Sequence, residues 1–376
     1  MRRLSQYIYD REGWPHLQWD QAPLAGLLAE VRHRQGRLLG QMEGLGFQLR
    51  EEATLRILTQ DVVKTSEIEG EKLDEVQVRS SIARRMDIDI GAFPAVDRNV
   101  EGIVEVMLDA TRRHAEPLTQ ERLFGWHTAL FPNGENGIHK IAVGRWRTDE
   151  RGPMQVVSGT YRREKIHFEA PAHTRLNQEM AHFLRFFNAP PEVDLVLRSA
   201  VAHFWFVTIH PFDDGNGRIA RAIADSQLAR SERSPQRFYS MSAQIEKERK
   251  AYYEILEASQ KGTLNLNPWI EWYLQCLKRA IGASQETLEA VLKKAAFWKT
   301  HAGHSFNDRQ RALINGLLDG WEGKLTSSKW AKLAKCSQDT AWRDITDLVS
   351  RQMLVKEEAG GRSTSYQLRA LRMTGT

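Results

Sequence analysis

The stretch HPFDDGNGRIAR, at residues 210–221, decides the fold of this chain. The residues before it, 200–209, are mostly apolar, which predicts a buried helix that ends at His210 because Pro211 disfavours its continuation. After the turn, apolar residues recur at helical spacing, so a second helix is predicted to begin near Asn216. Two core helices are therefore expected to present a short glycine-rich turn between them.

This turn and the second helix carry the groups that phosphate chemistry requires. Glycines before a helix let successive backbone N–H groups face one concavity, and the positive end of the helix dipole favours an anion there. Arg218 and Arg221 are three residues apart and share a helix face, so both can reach a polyphosphate. Asp214 is a hard oxygen ligand of the kind that Mg²⁺ prefers, and His210 is suited to take a proton from a hydroxyl.

The motif resembles the signature of the Fic proteins, His-Pro-Phe-x-Asp-Gly-Asn-Gly-Arg-x-x-Arg, at every defined position. Members of that family with an assigned activity mostly transfer AMP from ATP to a hydroxyl side chain of a protein. The resemblance therefore implies a protein adenylyltransferase that uses ATP and Mg²⁺ and modifies a Ser, Thr or Tyr of a target protein or of itself. It also implies a mainly α fold, in which a helical bundle core carries a β-hairpin flap.

The same resemblance assigns a role to the residues of the signature. His210 deprotonates the target hydroxyl, and Asp214 holds Mg²⁺. The resemblance also assigns nucleotide binding to residues that anchor the turn, cradle the phosphates or hold the β- and γ-phosphates. These residues are Phe212, Gly215, Asn216, Gly217, Arg218 and Arg221. Such a sparse set is sufficient because phosphoryl and nucleotidyl transfer depends mostly on positioning and charge stabilisation.

A second motif, TSEIEG, lies far upstream at residues 65–70. Thr65 and Glu69 are four residues apart, so they share one face of a helix that Gly70 is expected to end. The pattern resembles the inhibitory helix of Fic proteins, which implies that Glu69 pairs with Arg221 and keeps the γ-phosphate of ATP from binding. One buried guanidinium cannot serve a carboxylate and a phosphate together. The alternative interpretation is that Glu69 positions a water for removal of AMP.

Residues 154–169 predict a β-hairpin in an otherwise helical chain. Two short stretches, Met154–Gly159 and Lys165–Glu169, flank a polar turn at 160–164. Fic proteins carry such a flap over the site, where it can add a strand to an extended segment of the target. The residues to which the resemblance assigns target docking are Val156, Val157, Ser158 and Gly159.

Several other aromatic and histidine side chains have two interpretations. Tyr252 and Tyr253 occupy positions that resemble the adenine pocket of the family, but an aromatic pair of this kind also packs in a protein core. His127 and His203 are single histidines in helical stretches. Each has the chemistry of a catalytic group, and we expect each to be structural.

Composition restricts the class of protein. Of the 376 residues, 41% are hydrophobic and 27% are charged, as in soluble globular proteins, and no apolar run has the length of a membrane span. The N-terminal stretch lacks the apolar core of a signal peptide. The only cysteines are Cys276 and Cys336, which excludes a disulfide framework and is typical of a reducing compartment. A cytoplasmic protein with no membrane partner is expected.

The C-terminal region predicts a separate domain. Helical patterns at 309–318, 326–334 and 339–349 precede two short strands around a Gly-Gly-Arg turn at 360–362. This order looks like a winged helix-turn-helix domain, whose third helix enters the major groove of DNA. Residues 305–376 hold 12 Lys/Arg and 8 Asp/Glu, which is only a modest basic surplus. DNA binding and protein contact therefore both stay open for this region.

The third of these helices has a clear inward and outward face. Its spacing turns Ala341, Ile345 and Leu348 inward. The residues expected on its outer face are Trp342, Arg343 and Thr346.

Three segments are expected along the chain: an N-terminal helical segment with the inhibitory helix at 1–110, a Fic catalytic core at 111–300 and the winged helix at 305–376. Together they indicate an autoinhibited protein adenylyltransferase. Two alternatives remain. One is a DNA-binding transcriptional regulator that uses the Fic core as a nucleotide sensor, and the other is an enzyme of deAMPylation or of another nucleotidyl transfer. Because members of the family often dimerise, the resemblance also implies a homodimer.

Overall fold

The computed structural model describes residues 7–44, 47–88, 95–136, 139–150, 152–159, 165–318, 323–357 and 364–369, and structural statements refer to these ranges. The chain divides into two compact units, Met1–Gln285 and Glu286–Thr376. This division falls inside a long helix, and the domain boundaries expected at 110/111 and 300/305 stay predictions. Within the described ranges, no helix is both long enough and apolar enough to cross a membrane.

Helices form most of the first unit. They are α1 (Ala25–Glu43), α2 (Phe47–Ile68), α3 (Glu75–Arg85), α4 (Arg98–Arg112), α5 (Gln120–Leu130), α6 (Leu176–Asn188), α7 (Leu195–Ile209), α8 (Asn216–Glu232), α9 (Met241–Lys247), α10 (Arg249–Gln260) and the start of α11 (Asn267–Thr300). The strands of this unit form antiparallel pairs, β1 (Glu135–Asn136) with β2 (His139–Lys140) and β3 (Gln155–Ser158) with β4 (Lys165–Glu169). The predicted mainly α fold with a β-hairpin is confirmed.

Helix α7 is the most deeply buried element of the first unit. All of its residues from Val196 to Ile209 are buried, as the apolar stretch before His210 predicts. Asp194 caps its N-terminus by accepting the backbone N–H of Val196 at 2.7 Å. Helix α8 packs against α7 and begins at Asn216, where the sequence predicts a helix start. The signature therefore forms the turn between two core helices.

A close helix contact places α5 beside this turn. A Cβ atom at Gly102 of α4 would lie 1.8 Å from the carbonyl oxygen of Ala129 in α5, so only glycine allows the two helices to approach this closely. His127 lies near the end of α5, and its ring stacks on Phe212 of the signature with centroids 4.2 Å apart. The α4–α5 contact thus supports the signature turn from one side.

The β-hairpin has an irregular register. Val156 lies opposite Phe168 and Val157 lies opposite Ile166, so the pairing shifts between the two valines. Such an irregularity bends a strand and changes the direction of its side chains. The polar turn predicted at 160–164 lies outside the described residues.

The second unit contains the end of α11 and three further helices followed by a strand pair. These elements are α12 (Asp308–Leu318), α13 (Ser327–Leu333), α14 (Gln338–Ser350), β5 (Leu354–Lys356) and β6 (Tyr366–Leu368). The two strands are antiparallel. Thr326 and Ser337 cap α13 and α14 by accepting backbone N–H groups at 3.2 Å. The order of elements is the one expected, whereas the wing turn predicted at 360–362 lies outside the described residues and the winged-helix assignment stays a prediction.

Helix α14 has the two faces that its spacing predicts. Ala341, Ile345 and Leu348 are buried in the core of the second unit. The residues exposed on the opposite face are Trp342, Arg343 and Thr346.

Candidate functional site

Most of the predicted site residues line one cavity of about 980 Å³. Its wall is formed by the signature turn, the hairpin, α10 and the segment that comes after α2. The predicted residues on this wall are Glu69, Val156, Val157, Ser158, His210, Asp214, Gly215, Asn216, Gly217, Tyr252 and Tyr253. The other predicted residues, which do not line the cavity, are Gly159, Phe212, Arg218 and Arg221. Phe212 and the two arginines are buried behind the turn.

His210 ends helix α7 in a left-handed conformation, with φ of 53°. Its backbone N–H donates to the carbonyl of Phe206 at 3.0 Å, and its Nδ1 donates to the carbonyl of Val207 at 3.2 Å. Because Nδ1 carries the proton, the lone pair of Nε2 can accept one. Burial lowers the pKa of His210 from 6.5 to about 4. The imidazole is therefore a neutral acceptor at physiological pH.

Arg147 holds the backbone on which His210 is carried. Its backbone N–H donates to the carbonyl of Pro211 at 2.9 Å, and its Nε donates to the carbonyl of His210 at 2.8 Å. The remaining guanidinium nitrogens bind the carboxylate of Asp149 and the carbonyl of Pro171. The sequence gives no sign of this role for Arg147, because a contact with a residue 63 positions away leaves no local pattern.

Phe212 and His127 form the support of the turn. Phe212 is fully buried and stacks on His127 with an interplanar angle of 7°. His127 donates from Nε2 to the carbonyl of Asp214 at 3.2 Å and accepts the backbone N–H of Gly144 at Nδ1. Burial lowers the pKa of His127 to about 4. These contacts agree with the structural role expected for His127 and with the anchoring role expected for Phe212.

Asn216 ties the two ends of the turn together. Its Nδ2 donates to the carbonyl of Phe212 at 2.8 Å, and its Oδ1 accepts the backbone N–H of Phe212 at 3.0 Å. The side chain is thus committed to the shape of the turn, and only the backbone of Asn216 remains for a phosphate. Gly215 adopts φ of 77°, a conformation that favours glycine. The carboxylate of Asp213 accepts the backbone N–H of Ala142 at 3.0 Å and fixes the turn from outside.

Glu69 and Arg221 form the ion pair that the two motifs predict. Nη2 of Arg221 donates to Oε1 of Glu69 at 2.8 Å. Thr65 holds the same guanidinium, with Oγ1 2.6 Å from Nε and its carbonyl oxygen 2.8 Å from Nη2. Burial by itself would lower the pKa of Arg221, but the neighbouring carboxylate raises it, and the net shift is upward. A Cβ atom at Gly217 would lie 2.1 Å from Oε1 of Glu69, so this carboxylate lies against the predicted phosphate cradle.

A second acidic contact, between Glu71 and Arg218, has no signal in the sequence motifs. Nη1 of Arg218 lies 2.7 Å from Oε2 of Glu71, and the arginine side chain is only 7% exposed. Arg218 also lies over the ring of Phe131, 5.1 Å from its centroid. The backbone of Gly70, with φ of 86°, turns the chain between the two glutamates. Both predicted phosphate-binding arginines are thereby paired with carboxylates of one short segment.

Asp214 is the candidate ligand for Mg²⁺, and it suits a site with few protein ligands. Among the described residues, no group of three or more metal-binding side chains occurs. Mg²⁺ often uses only one or two carboxylates and takes its remaining ligands from water and substrate phosphates. Asp214 lines the cavity immediately before the glycine-rich turn, so its position suits that mode of binding.

Tyr252 and Tyr253 have different environments. Tyr252 is buried, and its hydroxyl lies 3.0 Å from Nε2 of His203, whose pKa burial lowers to about 3. Tyr253 is 36% exposed, and the guanidinium of Arg249 lies 5.6 Å from its ring centroid. The core-packing interpretation describes Tyr252 well, whereas Tyr253 presents a ring to the cavity. A contact of either ring with adenine stays a prediction.

The hairpin is connected to α10 by side chains. Oγ of Ser158 lies 2.6 Å from Nε2 of His167, and Nδ1 of His167 lies 2.6 Å from Oε2 of Glu257 in α10. Val157 and Ile166 are each 47% exposed. The hairpin thus presents apolar side chains to solvent beside the cavity, and its role in target docking stays a prediction.

Residues 117–228 match the Fic/DOC family, and residues 7–88 match a domain of unknown function, DUF4172. The chain is 25% identical over 221 residues to the protein adenylyltransferase Fic of Aedes aegypti, covering 57% of this chain and 39% of that protein. It is 36% identical over 87 residues to the protein adenylyltransferase Fic of Nematostella vectensis, covering 23% of this chain and 18% of that protein. The chain therefore spans well under half the length of these relatives.

Solved structures share the fold. A Fic family protein from Desulfovibrio desulfuricans G20 superposes with a TM-score of 0.53 and 20% identity, covering 94% of this chain and 98% of that one. A Fic domain containing signaling protein from Bacteroides thetaiotaomicron superposes with a TM-score of 0.52 and 15% identity, covering 69% of this chain and 98% of that one. With the complete signature in the turn between α7 and α8, residues 117–228 form a region that matches the Fic/DOC family, and the chain shares the fold of solved Fic proteins.

Proposed function

We propose that this protein is an adenylyltransferase that transfers AMP from ATP to a hydroxyl side chain of a protein. The observation that carries the proposal is the placement of a neutral imidazole acceptor, His210, in one cavity with a glycine-rich helix N-terminus. Relatives named protein adenylyltransferase Fic are similar to part of this chain. The expected acceptor is a Ser, Thr or Tyr of a target protein or of the enzyme itself.

The geometry suits an in-line displacement at the α-phosphorus. The target hydroxyl forms a bond to phosphorus, its proton passes to Nε2 of His210, and the bond to the β-phosphate oxygen breaks so that pyrophosphate leaves. The N-terminus of α8 and the guanidinium groups of Arg218 and Arg221 stabilise the negative charge of the phosphates. When Mg²⁺ is bound at Asp214, it supplies further charge neutralisation on the phosphate oxygens.

The enzyme is proposed to be autoinhibited by Glu69, with Glu71 as a second contributor. The support for this is that Glu69 and Glu71 pair with Arg221 and Arg218, the two arginines assigned to the β- and γ-phosphates. A guanidinium that already holds a carboxylate must release it before it can bind a phosphate. ATP is therefore expected to bind with its γ-phosphate displaced from the productive position until the segment carrying the two glutamates moves.

Incubation with ATP labelled at the α- or γ-phosphate tests this proposal. Glu69→Gly is expected to increase transfer of the α-label to protein over wild type, with no transfer of the γ-label. Glu69→Gly combined with His210→Ala is expected to lose the α-label. Equal labelling with and without His210 would refute the assigned base, and γ-label on protein would indicate a kinase instead.

A second candidate function, DNA binding by the C-terminal unit, is favoured by the exposed face of α14. Trp342 is 54% exposed and Arg343 lies beside it, in the position from which a recognition helix contacts a groove. A gel-shift of the full chain with genomic fragments tests it at two salt concentrations. Salt-sensitive binding that Arg343→Ala weakens is expected, and a lack of retardation at low salt would reject it.

Reversal of AMP transfer remains the alternative for the catalytic core. Glu69 lines the cavity and could orient a water there instead of only blocking Arg221. Loss of AMP from a pre-labelled protein with wild type, but not with Glu69→Gly, would favour this alternative. A homodimer and a cytoplasmic location are kept as expectations, which size-exclusion chromatography and cell fractionation would check.

A further inference from the structure

One buried guanidinium contacts both the backbone of the proposed base and the root of the hairpin. Arg147 donates to the carbonyls of His210 and Pro211, and its Nη2 binds the carbonyl of Pro171, which closes the hairpin. Its Nη1 lies 2.7 Å from Oδ1 of Asp149. The side chain has no exposed surface. Each nitrogen of the guanidinium is therefore committed to a different partner around the cavity.

The backbone at His210 needs such support. Its φ of 53° is left-handed, a conformation that a residue with a Cβ atom rarely adopts. Such a conformation persists only where the surroundings impose it. The last hydrogen bond of α7, to the carbonyl of Phe206, fixes the residue from one side. Arg147 fixes the carbonyls of His210 and Pro211 from the other.

We propose that Arg147 is a positioning residue for catalysis, which holds His210 in its left-handed conformation and so sets the direction of Nε2 toward the target hydroxyl. This inference rests on the proposed role of His210 as the base. Trp146 supports the same arrangement, because its ring packs on Phe212 with centroids 5.1 Å apart. Adjacent residues thus hold the signature at its backbone and at its buried aromatic anchor.

The charge of Arg147 also acts on His210. Burial is the main cause of the lowered pKa of His210, and the cation of Arg147 lowers it further. The charged groups that oppose this shift are the carboxylates of Glu69 and Asp214. A neutral side chain at position 147 would favour the imidazolium form, so the pKa of His210 would rise and the base would be lost at a higher pH.

Two variants, each made in the Glu69→Gly background, distinguish the positioning effect of Arg147 from the effect of its charge. Arg147→Lys keeps the charge, but a single ammonium nitrogen replaces the planar fork whose three nitrogens bind the carbonyl of His210, the carboxylate of Asp149 and the carbonyl of Pro171. It is expected to lower kcat for α-label transfer by roughly 100-fold, the scale of a displacement of about 1 Å, with little change in KM for ATP. Arg147→Gln is expected to lower kcat as well and to shift the acid limb of the pH profile to higher pH. Titration of His210 by NMR, which needs no activity, should show the same rise in pKa.

Arg198→Lys is the matched control. Arg198 is equally buried and donates to the carbonyls of Phe186 and Ala189, but it does not line the cavity. Its replacement is expected to lower the melting temperature without changing kcat or the pKa of His210.

The inference is overturned if Arg147→Lys keeps the kcat of the Glu69→Gly parent. It is also overturned if Arg147→Gln leaves the pKa of His210 unchanged. If the Glu69→Gly parent itself transfers no α-label, the proposed function fails. The NMR titration of His210 still decides the electrostatic link between Arg147 and His210 in that case.

Discussion

Glu69→Gly is expected to raise the affinity of the protein for Mg·ATP by roughly 10- to 100-fold. The substitution removes one hydrogen bond between ionised groups, from Nη2 of Arg221 to Oε1 of Glu69 at 2.8 Å. A hydrogen bond to a charged group contributes about 1.5–3 kcal/mol, and every 1.4 kcal/mol changes an affinity about tenfold. Thr65 still holds Arg221 by two hydrogen bonds in the variant, so the guanidinium stays oriented toward the cradle.

Loss of the contact between Glu69 and Arg221 is expected to lower the stability of the ATP-free protein, although it raises the affinity for Mg·ATP. Without ATP, Glu69→Gly leaves the buried guanidinium of Arg221 without its carboxylate, so the free energy of unfolding is expected to fall by about 1–3 kcal/mol. Binding of the γ-phosphate replaces that carboxylate. The rise in melting temperature on addition of Mg·ATP should therefore be larger for the variant than for wild type.

Calorimetric titration with a non-hydrolysable ATP analogue measures the affinity, and thermal unfolding with and without the analogue measures the stability. Glu67→Gln is the matched control, because Glu67 lies on the same segment, has a similar exposure and pairs with Lys64 rather than with an arginine of the signature. It should leave the affinity unchanged. Equal affinities for wild type and Glu69→Gly, or an equal gain with Glu67→Gln, would refute the competition between carboxylate and phosphate.

Three further predictions concern Glu71, His210 and the α4–α5 contact. Glu71→Gln removes the carboxylate that pairs with Arg218 and should raise ATP affinity by less than fivefold. The reason is that an ion pair with an exposed carboxylate contributes only about 0.2–1 kcal/mol. Calorimetry in the Glu69→Gly background would show whether the two gains in affinity add. Because burial lowers the pKa of His210 to about 4, α-label transfer should stay constant down to about pH 5 and fall only below it; an acid limb centred at pH 6.5 would contradict the burial of this base. Gly102→Ala should destabilise the protein by about 1–3 kcal/mol in urea unfolding because it forces α4 from α5, whereas Gly125→Ala, which meets no atom within 4 Å, should be neutral or stabilising.

Much of the site was predictable because its parts are close in sequence. The residues from His210 to Arg221 form one turn and one helix start, so their spacing alone places an imidazole, a carboxylate and two guanidinium groups together. The ion pair between Glu69 and Arg221 was also predictable, although 152 residues separate its members, because the resemblance joins two separate motifs. The hairpin and the buried α7 were predictable from simple periodicity.

Other parts of the site had no local signal. Asn216 was assigned to the phosphate cradle, yet its side chain closes the turn on Phe212. Arg147 meets His210 only because the hairpin returns to the end of α7. Glu71 reaches Arg218 because Gly70 turns the chain by its positive φ; the sequence suggests a helix end at Gly70 but not the direction in which the chain then runs.

The sequence by itself determined which chemical groups the site contains, which helices carry them and which family signature they form. These properties are set by short-range spacing and by apolar periodicity. Only the tertiary structure decided which partner each buried charge has. The sequence does not distinguish the partners of Arg147, Arg218 and Arg221, since all three are arginines. A buried guanidinium needs hydrogen-bond acceptors, and the tertiary packing decides which acceptors lie near it. That packing commits Arg147 to the backbone of His210 and the other two to the carboxylates of Glu71 and Glu69.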